Sequence, residues 1–324
     1  MMFTETGTDL QKAADFLRKG ELVAIPTETV YGLAANALNE DAVLKIYAAK
    51  NRPRFNPLIL HVSGLSQAQA FVKDIPEEAY QLANAFWPGP LTLLLPKSAL
   101  VPDLVTAGSD RVAIRVPDHR LTLQLLQEIQ LPLAAPSANP SGYVSPTTAE
   151  HVAAGLSGQI PYILDGGACQ VGLESTIVGW NEAGKTEIYR LGGITSEAIE
   201  EVVGHPVPIS KKITENPDTP GQLKSHYATH TPLYIGDAGQ LAGSFAGMKI
   251  ILIRFKELHP GFPAEQQLVL APTGTKEEAA CNLFRILRQA DAQEAEVILA
   301  EALPDEGIGK AVNDRLERAQ HLMK

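Results

Sequence analysis

Apolar positions recur along the chain in two periods, and the switches between them lay out the elements. Over residues 10–19, Leu10, Ala13, Ala14 and Leu17 share one face of a 3.6-residue period and Gly20 stops the run, so an amphipathic helix is predicted. Residues 22–25 form an unbroken apolar run into Pro26, the mark of a short buried strand. Residues 41–50 place Val43, Ile46 and Tyr47 at helical spacing, with Pro53 beyond the end. A strand follows at 58–62, a helix at 77–86 broken by Trp87-Pro88-Gly89-Pro90, and a strand at 91–95. The pattern then gives a strand at 112–116, a helix at 121–128, a strand at 133–135 and a helix at 147–154. Strands at 163–165, 175–179 and 187–191 complete the set. Strands and helices mix without strict alternation, which predicts an α/β fold with a twisted open mixed sheet rather than a purely parallel one.

The periods disappear after Gly204. Residues 206–232 hold five prolines and no apolar repeat, the composition of an extended linker. They separate a first domain, 1–205, from a second, 233–324, whose strands at 233–235, 250–255, 268–270 and 297–299 are interleaved with helices at 276–289 and 309–323. That order predicts a small C-terminal α/β domain of the doubly wound kind.

Composition narrows the functional classes. The chain has 324 residues, 45% of them hydrophobic, enough to build two cores. Thirty-seven acids against 27 bases give a formal charge of −10, which argues against a broad nucleic-acid footprint, so no stable nucleic-acid complex is expected. Cys169 and Cys281 are too few and too far apart for a disulfide framework or a paired metal spacing. The first residues are polar, with Glu5, Asp9 and Asp15, and no apolar run approaches the roughly 18 residues of a membrane span; a cytoplasmic protein is expected.

One motif is misleading. Residues 179–186, Gly-Trp-Asn-Glu-Ala-Gly-Lys-Thr, satisfy the phosphate-loop pattern G-x-x-x-x-G-K-[ST]. That loop needs a helix after it, so that amides and a helix N-terminus converge on phosphate. Here Glu187-Ile188-Tyr189-Arg190-Leu191 alternates as a strand, and residues 181–185 read as a hairpin turn.

Four other segments concentrate hydroxyls, cations and glycines at loop positions. Pro26-Thr27-Glu28-Thr29-Val30-Tyr31-Gly32-Leu33 leaves a buried strand; it is either a ligand loop or a turn capped by threonine hydroxyls. Residues 50–61 carry Lys50, Arg52 and Arg54 within five positions, stiffened by Pro53 and Pro57. They suit a polyphosphate, since charge-assisted bonds contribute about 1.5–3 kcal/mol each, or they form a solvated helix end. Residues 136–148, from Pro136-Ser137-Ala138-Asn139 to Ser145-Pro146-Thr147-Thr148, run from a strand into a helix N-terminus and present amides and hydroxyls to an anion, or merely cap the helix. Residues 166–177 contain Gly166, Gly167 and Gly172 before Glu174-Ser175-Thr176, and allow close backbone approach. Arg115, between Ile114 and Val116, needs a partner: a substrate carboxylate or an internal acid.

Taken together and in order, these segments resemble the YrdC-domain family of threonylcarbamoyl-AMP synthases in its long two-domain form. The resemblance is carried by Pro26 to Leu33, Lys50 to Arg52 with Asn56-Pro57-Leu58 and His61, and Trp87-Pro88-Gly89-Pro90-Leu91-Thr92. Arg115-Val116-Pro117, Pro136 to Asn139 with Ser145-Pro146-Thr147, and Glu174-Ser175-Thr176 continue it, and Pro220-Gly221 with His226-Tyr227-Ala228 resembles the family's linker. Leu191 and Thr229 stand where the family usually carries proline, and neither change removes a charge or a ligand group.

The resemblance implies an enzyme that joins L-threonine, bicarbonate and ATP into threonylcarbamoyl-AMP and pyrophosphate for tRNA modification. It implies threonine binding by Thr27, Thr29, His61, Arg115, Ala135 and Ser175, with Arg115 on the carboxylate. It implies ATP binding by Lys50, Arg52, Asn56, Ser137, Asn139, Ser145 and Arg190, with Lys50 and Arg52 the catalytic cations nearest the phosphates. His226 and Tyr227 would form a lid, magnesium would arrive with ATP rather than in a protein cage, and the product would pass to the tRNA threonylcarbamoyl-transfer machinery. Three other readings stand beside it. They are a carbamoyl-transfer maturation factor, which would carry cysteine-rich zinc segments; a non-catalytic RNA-binding module of the same fold; and a phosphate-loop ATPase centred on Lys185.

Overall fold

The structure, a computed structural model, describes residues 3–210, 219 and 227–321. The described residues form two compact units. The first is built on a ten-stranded mixed sheet of β1 (Glu5–Gly7), β2 (Val23–Ile25), β3 (Gly32–Asn36), β4 (Ile59–His61), β5 (Leu91–Pro96), β6 (Arg111–Arg115), β7 (Leu133–Ala134), β8 (Tyr162–Leu164), β9 (Thr176–Trp180) and β10 (Thr186–Arg190). Their order is β1-β8-β2-β3-β7-β4-β6-β5-β9-β10. Pairs such as β4/β6 and β5/β9 are parallel, whereas β2/β3, β5/β6 and β9/β10 are antiparallel. The mixed sheet expected from the irregular alternation is therefore present.

Period-two alternation gives the sheet two different faces. One face supplies Leu33, Leu60, Leu93, Ile114, Val178 and Ile188 to the main core, where Val43, Ile46, Leu82, Val152 and Ile199 from four helices meet them. On the other face, helices Leu10–Arg18 and Arg120–Ile129 bring Ala13, Leu17, Leu125 and Leu126 onto Val23, Ile25, Ala34, Tyr162 and Leu164. Farther along that same face the buried apolar cluster shrinks to Ile59, Leu94, Ala113, Ile177 and Tyr189, all from strands. Half of the face thus has a helical cover and half has none in its core, and the second half is where charged side chains stand.

Sequence patterning missed β3. The chain does not leave β2 as an open loop; it turns back, and β3 pairs antiparallel with β2 (Ile25 opposite Gly32). Gly-Leu-Ala-Ala-Asn is too short and too uniformly small to alternate visibly. The elements predicted from the sequence also lack the helix Ser196–Val203, which is capped by the Thr195 side chain and closed by Gly204 in the left-handed region. The hairpin over 181–185 is present: the Asn181 amide donates to Lys185 O at 2.9 Å, the Asn181 carboxamide oxygen accepts from Ala183 N and Lys185 N at 3.0 Å each, and β10 follows. No helix succeeds Thr186, so the phosphate-loop reading fails on geometry.

The second unit carries a four-stranded parallel sheet, β11 (Leu233–Ile235), β12 (Ile250–Arg254), β13 (Gln267–Val269) and β14 (Val297–Ala300), in the order β11-β14-β12-β13. The chain winds from β11 through β12 to β13 and then reverses to β14. Right-handed crossovers taken in opposite directions put helices on opposite faces, which makes the domain doubly wound. Segments Gly142–Ser145 and Val171–Leu173 belong to this unit. Helix Lys276–Asp291 receives both. Arg288 donates to Val144 O at 2.5 Å and Ser145 O at 3.3 Å and lies 4.8 Å from the Tyr143 ring centre. Gly172, at φ +72°, lets the chain pass Cys281, whose carbonyl oxygen would stand 2.4 Å from a Cβ. Among the described residues no helix is long and apolar enough to cross a membrane.

Candidate active site

Alternation along β4 and β6 places His61 and Arg115 opposite each other in register on the half-covered face. Both are buried. His61 Nδ1 lies 3.2 Å from its own strand's Ile59 O, and burial, followed by the Arg115 charge, lowers its pKa from 6.5 to about 3, so the imidazole is neutral. Arg115 reaches toward the loop that leaves β2: Nη1 donates to Thr29 Oγ1 at 2.9 Å, Nη2 to Glu28 Oε1 at 2.5 Å, and Nε to Gly89 O at 3.2 Å. The internal acid foreseen as one option for Arg115 is Glu28. It accepts from one guanidinium nitrogen only, and the three bonds together use three of the five N–H groups.

The threonine hydroxyls of that loop divide their work. Thr27 Oγ1 accepts from the amides of Thr29 and Val30 and donates to Val30 O, capping the turn as the local reading allowed. Its contact with Thr29 Oγ1 at 2.8 Å carries the network on to Arg115. The Ala135 amide donates to Ile59 O at 3.0 Å, which brings the end of β7 beside β4.

Ser175 arrives from the loop before β9. Its hydroxyl lies 2.7 Å from Thr92 Oγ1, and Arg190 binds both its carbonyl, at 3.0 and 2.9 Å, and its hydroxyl, at 3.0 Å. Simple alternation would send Ile188 and Arg190 to the same, core-facing side. A register shift between Ile188 and Arg190 inserts Tyr189 as an extra residue. That bulge re-aims Arg190 to the face that holds Ser175.

A third group lies around the end of helix Glu40–Lys50, which Asn51 closes in the left-handed region. Lys50 is buried, its Nζ donates to the carbonyls of Ser137 and Asn139, and burial first and Arg52 second hold its pKa well below the usual lysine value. Arg52 donates to Asn56 O at 3.1 Å and Pro57 O at 2.8 Å, drawing residues 52–57 into a tight turn. The Asn56 carboxamide is buried, and neither its Oδ1 nor its Nδ2 has a hydrogen-bond partner among the described residues. Such a group costs about 1–3 kcal/mol unless a ligand satisfies it.

The structure thus brings together Thr27, Thr29, His61, Arg115 and Ala135, ties Ser175 to Arg190, and ties Lys50 to Ser137 and Asn139 beside Arg52 and Asn56. Ser145 lies in the second unit, where its carbonyl is held by Arg288. Tyr227 is buried there at φ 67°, stacked on Phe284 at 5.4 Å with Arg315 5.2 Å from its ring centre. His226 lies outside the described residues. The sequence motifs assign no role to Glu28, Thr92 or His119, although Glu28 lies within residues 26–33 and Thr92 within residues 87–92. An acid between two threonines after a buried strand was the available signal for Glu28. Glu28 and His119 line a cleft of about 520 Å³ with Thr27, Arg120, Gly166 and Gln170.

The sequence and the fold have known counterparts. Residues 15–192 match the Sua5/YciO/YrdC family, described as telomere recombination, and residues 194–320 match the Sua5 C-terminal domain family, described as threonylcarbamoyl-AMP synthase, C-terminal domain. The chain belongs to the Sua5/YciO/YrdC family. A threonylcarbamoyl-AMP synthase of Pyrococcus abyssi is 43% identical over 319 residues, 95% of this chain and 92% of the relative. One of Bacillus subtilis is 43% identical over 321 residues, covering 96% and 92%. The crystal structure of P. abyssi Sua5 complexed with L-threonine superposes with a TM-score of 0.89 at 40% identity, covering 98% of this chain and 97% of that one. Family membership, the mixed sheet and the second domain agree with what the motifs implied.

Proposed function

We propose that the chain is a threonylcarbamoyl-AMP synthase. The amine of L-threonine condenses with bicarbonate to give a carbamate and water, and the carbamate's carboxylate oxygen attacks the α-phosphorus of ATP. A P–O bond forms, the bond to the β-phosphate breaks, and pyrophosphate leaves, which makes the reaction a nucleotidyl transfer. The observation that carries this reading is the in-register pairing of neutral His61 with Arg115 beside the Thr27–Thr29 loop, in a chain 43% identical along nearly its whole length to relatives of that name. Arg115 supplies a planar donor for the threonine carboxylate. His61, being uncharged, polarises by hydrogen bonding without adding a second cation.

The ATP assignment draws on a different group. Lys50 and Arg52 give positive charge, and the unpartnered Asn56 carboxamide and the Ser137–Asn139 backbone give polar contacts. Catalysis by such a set is positioning and charge stabilisation, with no covalent enzyme intermediate. Magnesium fits as a passenger of the triphosphate. A hard cation takes oxygen ligands from phosphates and water, and the described residues offer no group of three His, Cys, Asp or Glu as a cage. Bound there, it would neutralise charge on the departing pyrophosphate. The reading places the enzyme in the cytoplasm, with its product passed to the machinery that transfers the threonylcarbamoyl group to tRNA.

Pyrophosphate release by the purified chain tests the reading. Release is expected only when ATP, magnesium, L-threonine and bicarbonate are all present. Release that persists without threonine would point instead to a nucleotide hydrolase.

A further inference from the structure

We propose that Glu28 is a specificity residue that accepts the α-ammonium of the amino-acid substrate, so that Glu28 and Arg115 form a clamp for a zwitterion. The inference rests on the reading above that the threonine carboxylate meets Arg115.

Glu28 is 6% exposed, and its two carboxylate oxygens are unequal. Oε1 accepts from Arg115 Nη2, while Oε2 is buried with no hydrogen-bond partner among the described residues. A carboxylate serving only to anchor an arginine is best used side-on, with both oxygens on the fork. Here Arg115 is turned away from that geometry, because Nη1 is bonded to Thr29 and Nε to Gly89. One acceptor is therefore left unfilled in a low-dielectric site, a costly state for an ionised group.

The pair presents a positive and a negative end side by side, with no net charge. An α-amino acid carries the complementary pair on adjacent atoms. Its carboxylate would meet the Arg115 N–H groups not used in those three bonds and its ammonium would fill Oε2, and the cleft that Glu28 lines with Thr27 and Gly166 has room for a small amino acid. A ligand with the carboxylate but no ammonium leaves Oε2 unpaired and brings two negative groups together. The site therefore selects amino acids over hydroxy acids by rejection as well as by attraction.

Calorimetric binding of L-threonine and of 2,3-dihydroxybutyrate with the same carbon configurations, in which a hydroxyl replaces the ammonium, tests this on the full chain. Wild type is expected to bind threonine about 10- to 100-fold more tightly, the span of one charge-assisted bond. In Glu28→Gln that ratio is expected to fall about tenfold or more, chiefly through weaker threonine binding. Equal binding of the two ligands by wild type, which requires no variant to fold, would overturn the proposal. So would a ratio that survives unchanged in Glu28→Gln. Arg115→Met separates the two levels. If it loses both ligands while Glu28→Gln keeps the ratio, only the role of Glu28 falls. If it binds both as wild type does, the placement of the carboxylate falls, and the clamp with it.

Discussion

His61 lies buried beside Arg115, and burial first, that cation second, bring its pKa from 6.5 down to about 3. In the unfolded chain the same imidazole titrates near 6.5. Between those values the unfolded chain holds the extra proton, so this group's contribution is intact above about pH 6.5 and is lost as pH falls toward 3, at up to about 1.4 kcal/mol per unit. His61→Gln is therefore expected to lose less stability than wild type between pH 7 and pH 5, measured as the shift in urea midpoint over that range. Parallel pH profiles would mean that His61 is not the buried neutral group described. At this scale the sequence exposed residue types better than residue tasks. The hydroxyls, cations and imidazole of the site were all legible as chemistry at loop or strand-end positions. That Lys50 ties down residues 137 and 139 and that Glu28 shares Arg115 are products of contacts far apart in sequence. No local pattern encodes them.

At the scale of elements, periodicity carries most of the boundaries. The helix Glu77–Phe86 and strand Leu233–Ile235 match their predicted bounds, and most others shift by one or two residues, within the fraying of helix and strand ends. The losses share a cause. β3 is made of small residues without alternation, and β1 is three residues long at a sheet edge. The bulge in β10 is a backbone event with no side-chain signature, yet it decides which face Arg190 joins. The turn over 181–185 gives the opposite lesson, since its letters match a nucleotide loop and its flanking strands exclude one. Lys185 is exposed at that turn, and the Asn181 carboxamide satisfies the turn's own amides. Lys185→Ala is accordingly expected to keep ATP-dependent pyrophosphate release within about twofold of wild type, as befits an exposed substitution away from structural features. A fall of a hundredfold would return phosphate chemistry to this hairpin.

At the scale of the whole molecule, the acidic excess and the cationic site coexist because the site gathers few charges from distant places. Lys50 with Arg52, Arg115 and Arg190 come from three separate stretches, against a net −10 spread over the chain. Chain order is equally silent about the second unit, which includes residues 142–145 and 171–173 taken from within the first domain's sequence. Arg288 is what makes the first of these insertions stable. It is 9% exposed, and burial lowers its pKa to about 10, still well above neutrality. It donates to two successive carbonyls, Val144 and Ser145, and stacks on Tyr143, whose hydroxyl donates to Asp291 at 2.9 Å on the same helix. Arg288→Ala removes the donor of both carbonyls along with the packing of the side-chain stem, and is expected to cost about 2–4 kcal/mol. Arg288→Lys keeps the charge but cannot span two carbonyls while lying flat on a ring, so about half the loss should remain. Arg285 supplies the comparison: it is exposed one turn earlier on the same helix and bonds only Asn282 among the described contacts. Arg285→Ala should change stability by no more than about 0.5 kcal/mol. Chemical denaturation of the three full-length variants reads all of these, and equal losses at 285 and 288 would mean that helix propensity, not the grip on residues 144 and 145, governs this part of the fold.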